Sequence, residues 1–299
     1  MRKLLRVLGL IVAVLGALVV VAVAAVVILY NSRANKVYAV PEAAVVIPTD
    51  AASVARGKHL VEAVSDCVGC HGPDLSGMAV IDDPALGTIY SRNLTTGEGG
   101  VGAELTDAQL VQIIRHGVKP DGKSLMLMPV YDYQYFSDED VAAVVAYLRT
   151  LPPVEHVVSA LVVRPLGMVL TVLDALPTFT AGRVDHSLAP TAPAAAVNVE
   201  YGHYLIQIAS CAGCHTASYG GGPVPGSSPD APRAANLTPS GELGQWTAEM
   251  FIATLRTGVK PSGIALTGAM PWQDYGRMTD DELTAIFLYL QTLPPAPVQ

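Results

Sequence analysis

Cys67-Val68-Gly69-Cys70-His71 and Cys211-Ala212-Gly213-Cys214-His215 hold all four cysteines of a 299-residue chain. Cys-x-x-Cys-His is the attachment pattern of c-type haem. Its two thiols add to the porphyrin vinyl groups, one turn of chain spans them, and the following His71 or His215 supplies an imidazole nitrogen to the iron. A structural zinc site would bring two such knuckles within ~15–20 residues, whereas these are 144 residues apart. A thioredoxin-like redox pair would need a βαβ context that the sequence lacks, and a disulfide inside so short a loop would be strained. The pattern predicts two covalently bound c-type haems, held by Cys67, Cys70, His71, Cys211, Cys214 and His215.

Outward from each motif the sequence repeats itself. Arg115, Gly117, Lys119, Pro120 and Gly122 return as Arg256, Gly258, Lys260, Pro261 and Gly263, and Met128-Pro129 returns as Met270-Pro271. A period of this length means one domain present twice. Each copy reads as helical: a first helix over roughly 52–66 or 199–210 enters the Cys motif. A second starts at the N-caps Thr106 and Thr247 and stops at Gly117 and Gly258. A third starts at Ser137 and Thr279, with a Thr279/Glu282 capping box, and ends before Leu-Pro-Pro. Alternating strand patterns are not evident, so the expected fold class is all-α. The expected boundaries are 1–32 for the N-terminus and an anchor, 33–153 for the first haem domain, 154–196 for a linker with a short amphipathic helix, and 197–299 for the second.

An electron-carrying haem needs a sixth iron ligand. The repeated Met-Pro pairs nominate Met128 and Met270, with Met126 as the rival in the first copy. A neutral thioether favours the ferrous state relative to a second imidazole. His59, His203 and His116 are read as structural or exposed, Trp246 as pocket or core packing, and Tyr131, Tyr133 and Tyr135 as candidates to line the first haem crevice.

With the first helix, Cys-x-x-Cys-His, the Met-Pro loop and the Leu-Pro-Pro ending in hand, the chain resembles the class I cytochrome c family. Asn93-Leu94-Thr95, Asn236-Leu237-Thr238-Pro239 and Arg164-Pro165-Leu166 are similar to the cytochrome subunits of membrane-bound alcohol, aldehyde and gluconate dehydrogenases, which generally carry three haem domains where this chain carries two. Asn93 and Asn236 enter as candidate cofactor-binding residues. Arg92 and Arg233, beside them, are candidates to pair with haem propionates, the alternative being solvated loop arginines.

Hydrophobic residues make up 51% of the chain and charged residues 15%, which is apolar for a soluble protein. Much of this lies in Val7–Tyr30, an uncharged run that as a helix spans ~36 Å, enough to cross a ~30 Å hydrocarbon layer. The competing reading, a cleaved signal peptide, fits its length poorly. Arg2, Lys3 and Arg6 before it place the N-terminus in the cytoplasm and the haem domains outside a bacterial membrane. Beyond the anchor the balance is 15 Lys and Arg against 26 Asp and Glu, which excludes nucleic acid as a partner. The sequence therefore predicts a membrane-anchored dihaem electron carrier rather than an enzyme. It would work between a membrane dehydrogenase or a respiratory or photosynthetic complex and a soluble cytochrome or oxidase. The alternative is a dihaem enzyme, of peroxidase or thiosulfate dehydrogenase type, with chemistry at one iron.

Overall fold

The computed structural model describes residues 2–41, 44–224, 227–228 and 230–296. Helix α1 (Arg2–Ala34) stands out from the remainder, its flank exposed until Tyr30. The first repeat then builds α2 (Ala51–His59), α3 (Cys67–His71), α4 (Asp107–His116), the turn α5 (Val130–Tyr133) and α6 (Asp138–Leu148). After α7 (Pro165–Val172) the second repeat builds α8 (Val199–Ile208), α9 (Cys211–His215), α10 (Ala248–Thr257), α11 (Trp272–Tyr275) and α12 (Asp280–Gln291).

Each domain is held by its first and last helices, α2 on α6 and α8 on α12. The crossing is made at a glycine: a Cβ on Gly57 would overlap the Ala143 carbonyl, and one on Gly202 the Ala285 carbonyl. Small residues allow such close backbone approach, which larger side chains would splay apart. Helix α6 buries Val141, Val144, Val145 and Leu148, and α12 buries Leu283, Ile286, Phe287 and Leu290. Amphipathic α4 turns Leu110, Val111 and Ile114 inward. The capping predictions hold: Thr106, Thr247, Ser137 and Thr279 each accept from the backbone three residues on, and Gly117 and Gly258 close their helices at φ 63° and 69°.

The two copies differ in a countable way. Cys67 lies ten positions after Gly57 but Cys211 only nine after Gly202. The first domain absorbs its extra residue as a π-helical turn, Leu60–Val64, that continues α2. A single-residue insertion in a helix commonly has this outcome.

The all-α expectation needs correction. The first domain carries a small antiparallel sheet in the order β1-β2-β3: β1 (Ala79–Asp83), β2 (Gly87–Tyr90) and β3 (Val162–Val163). The strands are too short for alternation to stand out in the sequence, and β3 comes from the linker. That linker runs as a belt on the first domain and includes the short helix α7. Val154 and His156 bond the Asn93 side chain, α7 packs on α1, and Leu127 N–H donates to the Thr178 carbonyl at 2.9 Å. Farther on, the Asp185 amide donates to Gln134, and His116 and His186 meet at 3.2 Å through their Nδ1 atoms.

The two domains pack on each other through equivalent elements. The turn α5 packs on α8, and α11 packs on the π turn that follows α2.

Candidate functional site

In each domain a short left-handed residue, Asp66 (φ 46°) or Ser210 (φ 56°), turns the chain into the Cys motif, which forms one helical turn ending at the histidine. The histidine is then oriented by a backbone carbonyl. His71 Nδ1 lies 2.9 Å from the Arg92 oxygen and His215 Nδ1 lies 2.8 Å from the Ala235 oxygen. A carbonyl only accepts, so Nδ1 carries the proton and Nε2 keeps its lone pair. Burial pushes both imidazoles below their ordinary pKa and keeps them neutral.

None of the four cysteines is paired in a disulfide. Cys67 and Cys211 pack against the core, and burial pushes each thiol up to about 12.

The Met-Pro pairs make the same turn twice. Pro129 sits at φ −78°, ψ 55° and Pro271 at φ −78°, ψ 56°. In each case the amide after the proline donates to the methionine carbonyl, Val130 to Met128 and Trp272 to Met270, both at 2.8 Å. This is an inverse γ-turn, for which the proline ring fixes φ. A tyrosine anchors each turn to the strand of chain entering the Cys motif. Tyr133 donates to the Ser65 carbonyl at 2.8 Å and Tyr275 to the Ala209 carbonyl at 2.7 Å. Met126 is occupied differently, its backbone bridging Phe179 of the belt.

In the second domain these parts converge on one cavity of about 290 Å³. Cys211, Cys214, His215 and Met270 line it together with apolar Ile206, Leu237, Leu243, Trp246, Phe251 and Ile286. A flat, largely apolar group with a metal at its centre suits such walls: imidazole, thioether, two cysteines and hydrocarbon, with Arg233, Asn236, Glu242 and Lys260 among the polar points of the lining. In the first domain Cys67, Met128, Leu94, Leu105 and Tyr135 likewise pack round the core.

The remaining candidates divide. Asn93 is fully buried and its side chain is spent on backbone: its Nδ2 donates to the Val154 and His156 carbonyls, and its Oδ1 accepts from Thr95 N–H and hydroxyl. Asn236 repeats the clip, accepting from Thr238 and donating to Ser240 and the Ala296 carbonyl, while also lining the cavity. The Asn-Leu-Thr motif thus fastens the chain after Leu-Pro-Pro. Arg92 contributes its carbonyl to His71 and has an exposed side chain. Arg233 is exposed at the second cavity.

Sequence reasoning missed one relation. Asp132 of α5 reaches across to the second Cys motif, where a Cβ on Gly213 would lie 4.0 Å from its Oδ2, and its repeat Asp274 faces Asp66 beside the first. Burial pushes Asp132 up to about 6, and burial together with Asp274 pushes Asp66 up to about 7. The recurrence of this aspartate in the turn after each Met-Pro was the signal available.

Twin helical domains, each setting a Cys-x-x-Cys-His turn with a carbonyl-oriented imidazole beside a proline-locked methionine turn, define a c-type haem-binding protein. The chain belongs to the cytochrome c family, whose model matches residues 54–152 and 199–294. Such domains imply covalent haem, its iron and electron transport. The chain is 30% identical over 278 residues to the cytochrome c subunit of a quinone alcohol dehydrogenase from Gluconacetobacter polyoxogenes, covering 83% of this chain and 57% of that one. It is 29% identical over 271 residues to the gluconate 2-dehydrogenase cytochrome c subunit of Pantoea cypripedii, covering 81% and 60%. A dihaem cytochrome c-type protein of Cereibacter sphaeroides is 27% identical over 267 residues, covering 80% and 85%. The chain therefore spans a little over half the length of these dehydrogenase subunits.

Proposed function

We propose that this protein is a membrane-anchored dihaem electron-transfer subunit that takes electrons from a dehydrogenase and passes them to a soluble cytochrome or an oxidase. The observation that carries the reading is the repeated pairing of a carbonyl-fixed histidine with a proline-locked methionine. Each bound haem supplies a one-electron ferric/ferrous couple. The chain's own residues do the rest. His71 and His215 would hold the iron through Nε2, and Met128 and Met270 would offer it a thioether sulfur. Cys67, Cys70, Cys211 and Cys214 would form the thioethers, and apolar Ile206, Leu243, Phe251 and Ile286 would flank the group in the second site. With His and Met both engaged, no coordination position would remain for substrate, which favours a carrier over a peroxidase-like enzyme.

The relatives' printed names, subunits of quinone alcohol and gluconate dehydrogenases, support a dehydrogenase as electron donor. The haem count of two is supported by the two matched segments and the dihaem relative. Helix α1, with mean hydropathy 3.3 over its most apolar stretch, supports an anchor in the cytoplasmic membrane with the haem domains outside.

The test is the near-infrared absorption of the oxidised protein. A methionine-to-ferric band scaled to two haems, falling by half in Met270→Ala, is expected. A high-spin spectrum from either haem in the unaltered protein would move the reading to an enzyme.

A further inference from the structure

The linker helix α7 has the sequence PLGMVLTV and lies against α1. The join is specific. Arg33, in the last turn of α1, donates from Nη1 to the Thr171 carbonyl at 2.6 Å and from Nη2 to the Val172 carbonyl at 3.1 Å, and it pairs with Asp174 at 3.0 Å. A guanidinium thus caps the C-terminal carbonyls of α7, where a cation is favoured. Tyr30, one turn earlier, packs its ring on Phe179 with centroids 5.5 Å apart.

Two sets of side chains remain outward at this junction. One is apolar: Leu166 and Leu173, two turns apart on α7, are 46% and 68% exposed, and Leu161 and Val162 beside them 48% and 47%. The other is cationic. A cavity of about 230 Å³ between the end of α1 and the belt is lined by Lys36 and Arg183, with Tyr38, the already bonded Arg33, and Asp174, which also lies 3.7 Å from Arg183. Ile28 and Leu29 of α1 adjoin and are exposed.

The position of this patch decides what covers it. An uncharged helix from Val7 to Tyr30 is ~36 Å long and fills a ~30 Å hydrocarbon layer, so Tyr30 and Arg33 mark the level of the outer headgroups. Helix α7, fastened at that level, is continuous with the lipid-facing flank of α1. Apolar side chains on one side, with cations and tyrosines at the rim, are the composition of an interfacial segment.

We infer that α7 and the adjoining belt lie in the bilayer surface, with Leu166 and Leu173 among the acyl chains and Lys36 and Arg183 toward anionic phospholipid headgroups. The two haem domains are thereby held in one orientation above the membrane instead of swinging on a tether. This inference rests on the reading of α1 as an anchor.

The experiment is nitroxide depth measurement on the full haem-loaded chain in vesicles of phosphatidylcholine and phosphatidylglycerol. Labels are placed singly through Leu18→Cys, Val46→Cys, Leu166→Cys and Leu173→Cys, the native cysteines being consumed by thioether bonds. Collision with oxygen is compared with collision with a water-soluble nickel chelate. At 166 and 173 the oxygen-to-nickel ratio is expected to shift toward that at 18 and away from that at 46. Ratios at 166 and 173 equal to that at 46, with 18 still in lipid, would overturn the inference and leave the anchor standing. An aqueous ratio at 18 would overturn the anchor itself. Labels at 166 and 173 shielded from both reagents would show a protein neighbour instead and overturn the inference. Equal depth in phosphatidylcholine alone would overturn the role given to the cations.

Discussion

Arg56 of the first domain and Glu282 of the second lie 3.1 Å apart, and that contact ties the two repeats together. The Arg56 guanidinium also grips Asp140 through two 3.0 Å bonds, while His59 Nε2 meets the other Glu282 oxygen at 2.7 Å. Tyr204 donates to Asp140 at 2.7 Å, so each domain reaches a carboxylate of the other. Asp140 and Glu282 are repeat equivalents, as are Arg56 and Tyr201, and His59 and Tyr204. Duplicated positions have diverged into complementary donors and acceptors. Glu282→Gln is expected to cost about 3 kcal/mol, the usual consequence of removing one partner of a buried pair, and to make the two domains melt separately in differential calorimetry.

The same residue sets an acid limit. Burial alone would raise the Glu282 carboxyl, yet hydrogen bonds from His59 and the Thr279 amide, with Arg56 nearby, bring it down to about 2. A carboxyl lowered on folding contributes stability above its ordinary value near 4.5, and that stability is lost as pH falls toward 2. Urea midpoints between pH 5 and 2 should fall for the unaltered chain and fall less steeply for Glu282→Gln.

His116 governs a milder range. Burial, His186 and Arg115 lower it to about 4. The folded chain therefore refuses a proton that the unfolded chain accepts, and stability declines as pH drops from about 6.5 to 4. Limited proteolysis should show cleavage of the belt near His186 rising over this range, and His116→Asn should flatten the rise.

Asp66, raised to about 7 by burial and Asp274, lies beside the first haem attachment. A ferric centre favours the carboxylate, so the first potential is expected to fall as pH rises through 7. Its slope is at most about 59 mV per unit, the one-electron limit. Asp66→Asn keeps the left-handed backbone that asparagine tolerates and should abolish the slope in spectropotentiometric titration.

Gly57 and Gly202 have no room for a methyl group. Each Gly→Ala change is expected to cost about 1–3 kcal/mol through forced separation of the helices, read as a lower melting temperature. Neither change should alter the visible spectrum.

The repeat made most of this architecture legible. Thr279 with Glu282, Gly117 and Gly258 announce helix ends by chemistry that acts locally, and the Met-Pro pairs announce a turn. What the sequence concealed depends on partners far along the chain. The sheet needs Val162–Val163 to return beside Gly87–Tyr90, and four-residue strands carry too little pattern to declare themselves. The resemblance of its Asn-Leu-Thr motif nominates Asn93, and nothing in the sequence signals that its amide donates to the Val154 and His156 carbonyls, some 60 residues on. Tyr275 gave no hint that its hydroxyl would hold the Met270 turn, although its repeat Tyr133 does the same.

The claim beneath all of these is that each repeat carries its own covalent haem, and intact-mass spectrometry of the chain from native membranes tests it most directly. The expected mass is that of the polypeptide plus two haems, falling to plus one when Cys211 and Cys214 are both replaced by alanine. A single haem on the unaltered chain, or two that survive that replacement, would contradict it.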